Sequence, residues 1–260
     1  MKPRISVFLP LFLLAMSLLV PGLGLAQQQK PQAYWIYQEV VKPSSVAKYE
    51  EATKKEFALF AEAKSPYPWT AYSTDDFYYY FLSPIENFAA MDAMNKHYED
   101  FMKKFGDRMQ ALMKSSGGTY EYERQAIAIL RPDLSYTPAK PRLKPEEEKF
   151  YLWAFCYVEP GKEQEFEQVC KDWAALYKSK NVRDPFYTWV GEIGLDNPVT
   201  LFVMPGKDAA DYWAADAKST RDIGEAAATA LWTKTMSLLR KYEYKTGKLR
   251  PDLSYTPKTK

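Results

Sequence analysis

The 260-residue chain holds one histidine, two cysteines and eleven glycines. Each scarcity excludes something. One histidine cannot build a multi-histidine metal site, nor a Ser-His-Asp triad in each half of the chain. Two cysteines, with no Cys-x-x-Cys pair, make a thiol zinc site or a thioredoxin-like motif untenable. No glycine-rich phosphate loop or nucleophile elbow is present. An excess of one charge sign is also missing. Taking Lys2 and Arg4 from the 35 basic residues leaves 33, equal to the 33 acidic ones. A neutral protein has no general attraction for nucleic acid or an anionic membrane, so neither is expected as a partner. Lysines mixed with acids along the helical segments read as ordinary solvated faces.

Beyond the N-terminus there is no long apolar run. At the N-terminus, Lys2 and Arg4 precede an apolar stretch from Ile5 to Val20, broken by Pro21 and Gly22, and Gly24-Leu25-Ala26 offers small residues for cleavage. That layout reads as an export signal over 1–26, giving a periplasmic or extracellular protein; an uncleaved anchor is the alternative. Export permits a disulfide between Cys156 and Cys170, one near the end of a strand and the other on the helix that follows; two buried free thiols are the other reading.

What is abundant is repetition. Arg131-Pro132-Asp133-Leu134-Ser135-Tyr136-Thr137-Pro138 recurs as Arg250-Pro251-Asp252-Leu253-Ser254-Tyr255-Thr256-Pro257. Upstream, Tyr120-Glu121-Tyr122 matches Tyr242-Glu243-Tyr244, and Lys42-Pro43 matches Glu159-Pro160. The chain therefore contains two copies of one unit, 33–138 and 149–257, joined by a Pro- and Glu-rich linker over 139–148. In the first copy, periodicity predicts a strand over 33–41, a helix carrying Val46, Tyr49, Thr53, Phe57 and Phe60, strands over 69–73 and 77–82, a long helix over 88–112 and a strand over 119–130. The second copy repeats the order with strands over 151–158, 186–193, 199–204 and 241–248, and helices over 162–178 and 208–239. The order β-α-β-β-α-β is ferredoxin-like, so the fold class is α+β with two tandem ferredoxin-like units.

Tyr34-Trp35-Ile36-Tyr37 and Phe77 to Leu82 do not alternate polar with apolar. Continuous apolar strands imply that both sheet faces are covered, one by helices and the other by the sister copy's sheet packed face to face. Val158-Glu159-Pro160-Gly161-Lys162-Glu163-Gln164-Glu165-Phe166, with a weaker echo at Val41-Lys42-Pro43-Ser44-Ser45, resembles the strand, turn and acidic helix start of the dimeric α/β-barrel superfamily. That group includes antibiotic-biosynthesis monooxygenase-like and NIPSNAP-like domains. The resemblance implies a dimeric α/β barrel formed within one chain. Its members include cofactor-free oxygenases, haem-binding and haem-degrading enzymes and isomerases, with no shared catalytic motif that maps onto this sequence.

Candidate site residues are few. The aromatics Trp35, Tyr37, Trp69, Tyr72, Phe77 and Tyr79 could line a pocket for a flat apolar ligand, either between sheet and helices or between the sheets. Ordinary packing is the alternative. Glu121 and Glu243, each bracketed by tyrosines, would face the interior if the tyrosines pack under helices, and burial would then raise their pKa; a solvated outer strand is the alternative. Some relatives hold haem through a helix histidine, but His97 is expected at a solvent edge, roughly 100° from the centre of the Phe88–Leu112 stripe. The repeated Arg-Pro-Asp-Leu-Ser-Tyr-Thr-Pro segment is expected to be a rigid arm clasping the sister copy. These readings lead to an exported small-molecule binding module without a cofactor, the alternative being an oxygenase-like or haem enzyme.

Overall fold

The computed structural model describes residues 30–258, so the expected export signal over 1–26 lies outside the described residues. The element order is β1 (Gln32–Val41), α1 (Val46–Glu62), β2 (Thr70–Thr74), β3 (Tyr78–Ile85), α2 (Ala89–Ser116) and β4 (Tyr120–Leu130), then β5 (Phe150–Val158), α3 (Glu163–Ser179), β6 (Tyr187–Ile193), β7 (Val199–Gly206), α4 (Ala209–Ile223), α5 (Glu225–Ser237) and β8 (Leu239–Leu249). The expected single helix over 208–239 is two helices. Gly224 sits between them at φ 96°, a conformation open to glycine, and breaks the helix.

The eight strands close into one barrel in the order β1-β3-β2-β8-β5-β7-β6-β4. The expectation of two sheets stacked face to face needs correction. The halves also hydrogen-bond edge to edge, Tyr72–Thr74 against Gly247–Leu249 at one seam and Ile127–Leu130 against Trp189–Ile193 at the other. Closure leaves no unpaired edge. Glycines permit both seams. A Cβ on Gly247 would lie 2.1 Å from the Ser73 carbonyl oxygen, and one on Gly194 2.3 Å from that of Gln125.

The two apolar faces of the strands now have separate destinations. One set of alternating residues fills the barrel: Tyr72 meets Tyr151 and Trp153 edge-on, and Tyr34 meets Trp189. The other set meets the outer helices. Under α3, Cys156, Val158, Phe166, Val169 and Cys170 form a closed apolar cluster. Both cysteines are free thiols within it, which is the second of the two readings. Burial pushes both thiols up, Cys170 to about 12, which keeps them protonated and inert.

Each repeated arm does clasp the opposite half. Beyond β4, the Tyr136 hydroxyl donates to the Val182 carbonyl at 2.7 Å and the Ser135 hydroxyl accepts from the Thr188 amide at 2.8 Å. Beyond β8, the Tyr255 hydroxyl donates to the Ser65 carbonyl at 2.9 Å and the Ser254 hydroxyl accepts from the Ala71 amide at 2.9 Å. Leu134 and Leu253 are fully buried at the matching positions; each burial contributes about 1.5–3 kcal/mol. Arg131 and Arg250 each grip the aspartate two residues on through two hydrogen bonds, and Arg250 also bonds Glu50 of α1. The linker is pinned rather than loose: Arg142 pairs with Asp184 and with both oxygens of Asp211. No described helix is long and apolar enough to cross a membrane.

Candidate functional site

The first half holds a cavity of about 820 Å³ between its sheet and its two helices. Strand pairing builds its floor. Trp35, Tyr37 and Glu39 share one face of β1 by alternation, opposite Ile127, Gln125 and Glu123 of β4 on one side. On the other side, Trp35 and Tyr37 lie opposite Ser83 and Phe81 of β3. One face of α1, with Tyr49, Thr53, Glu56 and Phe60 at helical spacing, forms a wall. The far wall is α2, contributing Met94, His97 and Met109.

The charged groups of the lining are all acids, in an aromatic setting. Glu39 is 9% exposed and accepts a hydrogen bond from the Tyr49 hydroxyl. Burial pushes its carboxyl up to about 7; the Tyr49 bond acts the other way, and the charges of Glu56 and Glu123 add to the rise. Burial also raises Glu56, which has no hydrogen-bond partner among the described residues. Glu123 accepts from the Tyr37 hydroxyl, and burial, that bond and the nearby Glu39 raise Tyr37. No lysine or arginine lines the cavity among the described residues. A carboxyl poised near neutrality can take or give a proton at working pH.

Of the residues singled out from sequence, Trp35, Tyr37 and Trp69 line the cavity. Tyr72 does not; it points into the barrel against Tyr151. Tyr79 is on the helix side but is taken up by Tyr49 and the Glu50 carboxylate, 2.6 Å from its hydroxyl. Neither Glu121 nor Glu243 belongs to the site. Glu121 is exposed on β4, where the pairing with β1 shifts register. At Glu243 burial raises the pKa, but bonds from Lys241 and from the Tyr157 hydroxyl at 2.6 Å outweigh it and hold the group below its ordinary range. The expected raised pKa is therefore reversed there.

His97 is not at a solvent edge. It packs edge-on against Tyr67, and its Nε2 is buried without a hydrogen-bond partner in the described structure. The buried stripe of α2 runs Met94, Phe101, Phe105, Met109, and His97, half-buried as a whole residue, falls on the same face at spacings of three and four. Phe88 and Tyr98, counted as core from sequence, are exposed, and they displaced the estimated stripe centre.

Glu39, Glu56 and Glu123 were missed from sequence, yet a signal exists in the repeat. In the register that matches Pro43 with Pro160, α1 and α3 coincide end to end, and Glu39, Tyr49, Thr53 and Glu56 correspond to Cys156, Phe166, Cys170 and Trp173. The second half fills the same slots with apolar side chains, and Trp173 packs on the cysteine cluster there.

No family model matches the chain, and no curated protein sequence matches it either. Solved structures do. The chain is similar to an anthrone oxidase-like protein at 12% identity and TM-score 0.57, covering 86% of this chain and 93% of that one. It is similar to a monooxygenase-like protein from Fusobacterium nucleatum subsp. nucleatum at 12% identity and TM-score 0.51, over 84% and 92% of the two chains. A chlorite dismutase-like protein aligns at 11% identity and TM-score 0.46, over 85% and 96%. At such identities the first two likenesses show the fold alone: a mixed α+β protein with a closed eight-stranded barrel, consistent with a dimeric α/β barrel.

Proposed function

We propose that this protein binds a flat, mostly apolar small molecule in the cavity of its first half. The observation that carries the reading is a half-open cavity of about 820 Å³ with aromatic walls and a few convergent polar groups, the makeup of small-molecule sites. The fold likeness to an anthrone oxidase-like protein agrees with it. Calorimetric titration with 9-anthracenemethanol, a neutral planar probe, tests it. Binding is expected in the native protein and lost in Glu56→Trp, which fills the space as Trp173 does in the second half. Absence of binding, or equal binding by the variant, sinks the reading.

Glu39 favours a second reading, an oxygenase-like enzyme without a cofactor. As a carboxylate, Glu39 would take a proton from an activated carbon of the substrate. The resulting carbanion would add to dioxygen, forming a carbon–oxygen bond and a peroxide that takes the proton back from Glu39; the hydroperoxide then loses water to leave a ketone. Oxygen uptake with anthrone, abolished in Glu39→Gln, is the expected result; uptake unaffected by that change removes Glu39 from the reaction.

Haem fits this cavity poorly. Its two propionates are anions, whereas the lining offers Glu39, Glu56 and Glu123 and no cation among the described residues. The His97 Nε2 that would ligate iron is already closed off in the wall. A haem titration is expected to give no Soret shift dependent on His97.

The two halves are best read as tandem ferredoxin-like units, since each carries the βαββαβ order with the last helix of the second split at Gly224. Export through a signal over 1–26 remains part of the proposal; N-terminal sequencing of secreted protein should begin at Gln27.

A further inference from the structure

We infer that the cavity selects a flat organic cation, such as a protonated or fixed-charge aromatic amine, over a neutral or anionic molecule of the same shape. The inference rests on the cavity being a ligand site and adds the charge of the ligand.

Hydrogen-bonding capacity is the first ground. The two tyrosine hydroxyls nearest the acids are already spent, Tyr49 on Glu39 and Tyr37 on Glu123. The lining also offers donors, such as the Tyr120 hydroxyl and the Gln125 amide, but its charge-bearing groups are acceptors: the free oxygens of Glu39 and Glu123, and the Glu56 carboxyl with no partner in the described structure. A ligand that satisfies this site supplies donors. The second ground is charge. Bringing a ligand carboxylate or phosphate beside buried Glu39, half-buried Glu56 and exposed Glu123, with no arginine or lysine in the lining to meet it, costs like-charge repulsion, most of it at Glu39. A cation gains the opposite interaction, and the aromatic walls add attraction through their ring faces.

The third ground is the internal control. The same backbone slots in the second half hold Cys156, Phe166, Cys170 and Trp173, none of them an acid. The fold therefore does not need acids there. Glu39 and Glu56 weaken packing in the first half, and their chemistry faces only the cavity.

Groups facing Glu39 set the pH response. From α1 these are Tyr49 and Glu56, from β1 Tyr37, and from β4 Tyr120 and Glu123, with His97 of α2 across the space. The charges of Glu56 and Glu123 favour the protonated form of Glu39, and a bound cation favours the ionised form. Cation binding therefore strengthens as pH rises through neutrality and releases protons.

The test is calorimetric titration at pH 6 and pH 8 with three probes of one shape: 9-aminoacridine as cation, 9-anthracenemethanol as neutral and anthracene-9-carboxylate as anion. At pH 8 the cation should bind at least about tenfold tighter than either other probe. The margin should shrink at pH 6 and in both Glu39→Gln and Glu56→Gln, the second variant guarding against a folding defect in the first. If the neutral or anionic probe binds as tightly as the cation, the charge inference is overturned while the cavity reading stands. If the cation's margin survives both variants, these carboxylates are not its cause and the inference fails. If none of the probes binds, both readings fall.

Discussion

Replacing Glu39 by glutamine should flatten the protein's loss of stability between pH 5 and pH 8. Folding moves this carboxyl from its ordinary 4.5 to about 7, chiefly by burial. The folded state therefore holds the proton more tightly than the unfolded state. The contribution is fully present below about pH 4.5 and is lost as pH rises through 7, because above that the folded state must bury a charge. A shift of about 2.5 units at 1.36 kcal/mol each gives roughly 3 kcal/mol lost over that window. Glutamine keeps the neutral shape and an oxygen to accept from Tyr49, and it cannot ionise. Urea unfolding at the two pH values should show the wild type losing roughly 3 kcal/mol more than Glu39→Gln between pH 5 and pH 8. Glu148, also raised to about 7 by burial, contributes equally to both proteins and cancels in the comparison. Parallel pH dependence in the two proteins would refute the placement of Glu39 in a desolvated wall.

Arg250→Ala should destabilise by about 3–5 kcal/mol, since it strips a buried guanidinium from Glu50 and Asp252; Arg131→Ala, at the more exposed equivalent site, should cost less, and thermal melts of the two compare them. Gly247→Ala should cost at least about 1–3 kcal/mol by forcing a methyl group against the Ser73 carbonyl, and Gly194→Ala should do the same at the other seam; urea midpoints unchanged in both would show that the seams are loose. Thiol titration without reductant should find no reactive thiol in the native protein and two in urea, because Cys156 and Cys170 are buried and unbonded; fewer than two in urea would reveal a disulfide.

Much of the fold was legible because the chain repeats itself. The duplicated Arg-Pro-Asp-Leu-Ser-Tyr-Thr-Pro arm and the matched Lys42-Pro43 and Glu159-Pro160 turns located both halves. The unbroken aromatic strands announced that both faces are covered. Barrel closure was implied only by the resemblance at Val158–Phe166; the residue pattern itself did not carry it, since closure rests on pairing Thr74 with Gly247, residues far apart in sequence and without a local signature. His97 was misplaced because exposed Phe88 and Tyr98 count as apolar in any periodicity. The site was half legible. Trp35 and Tyr37 stood out by size, whereas Glu39 was absorbed into a strand read for its apolar residues, although alternation puts it on their face. The slot-by-slot comparison with Cys156 and Trp173 would have exposed both Glu39 and Glu56.

That comparison also says why the first half keeps a cavity at these slots and the second half fills them. Beneath α3, burial of Cys156, Phe166, Cys170 and Trp173 proceeds to close packing, and α5 seals the cluster, with the Trp173 indole donating to the Thr235 hydroxyl at 3.0 Å. Beneath α1, the corresponding acids and Tyr49 cannot pack that way without unmatched desolvation, so the space above them stays open. The second helix differs in parallel. α4 and α5 bend at Gly224, whereas α2 runs 28 residues unbroken and packs on α1 through Phe101, Phe105 and Met109. A straight helix resting on its neighbour spans a void that a bent one would close. The open half is then held by the closed one. The arm beyond β8 stacks Tyr255 on the cavity residue Trp69, whose indole donates to the Leu253 carbonyl at 2.9 Å. The well-packed half thus supplies, through its arm, the rigidity that a half with a cavity and buried acids lacks.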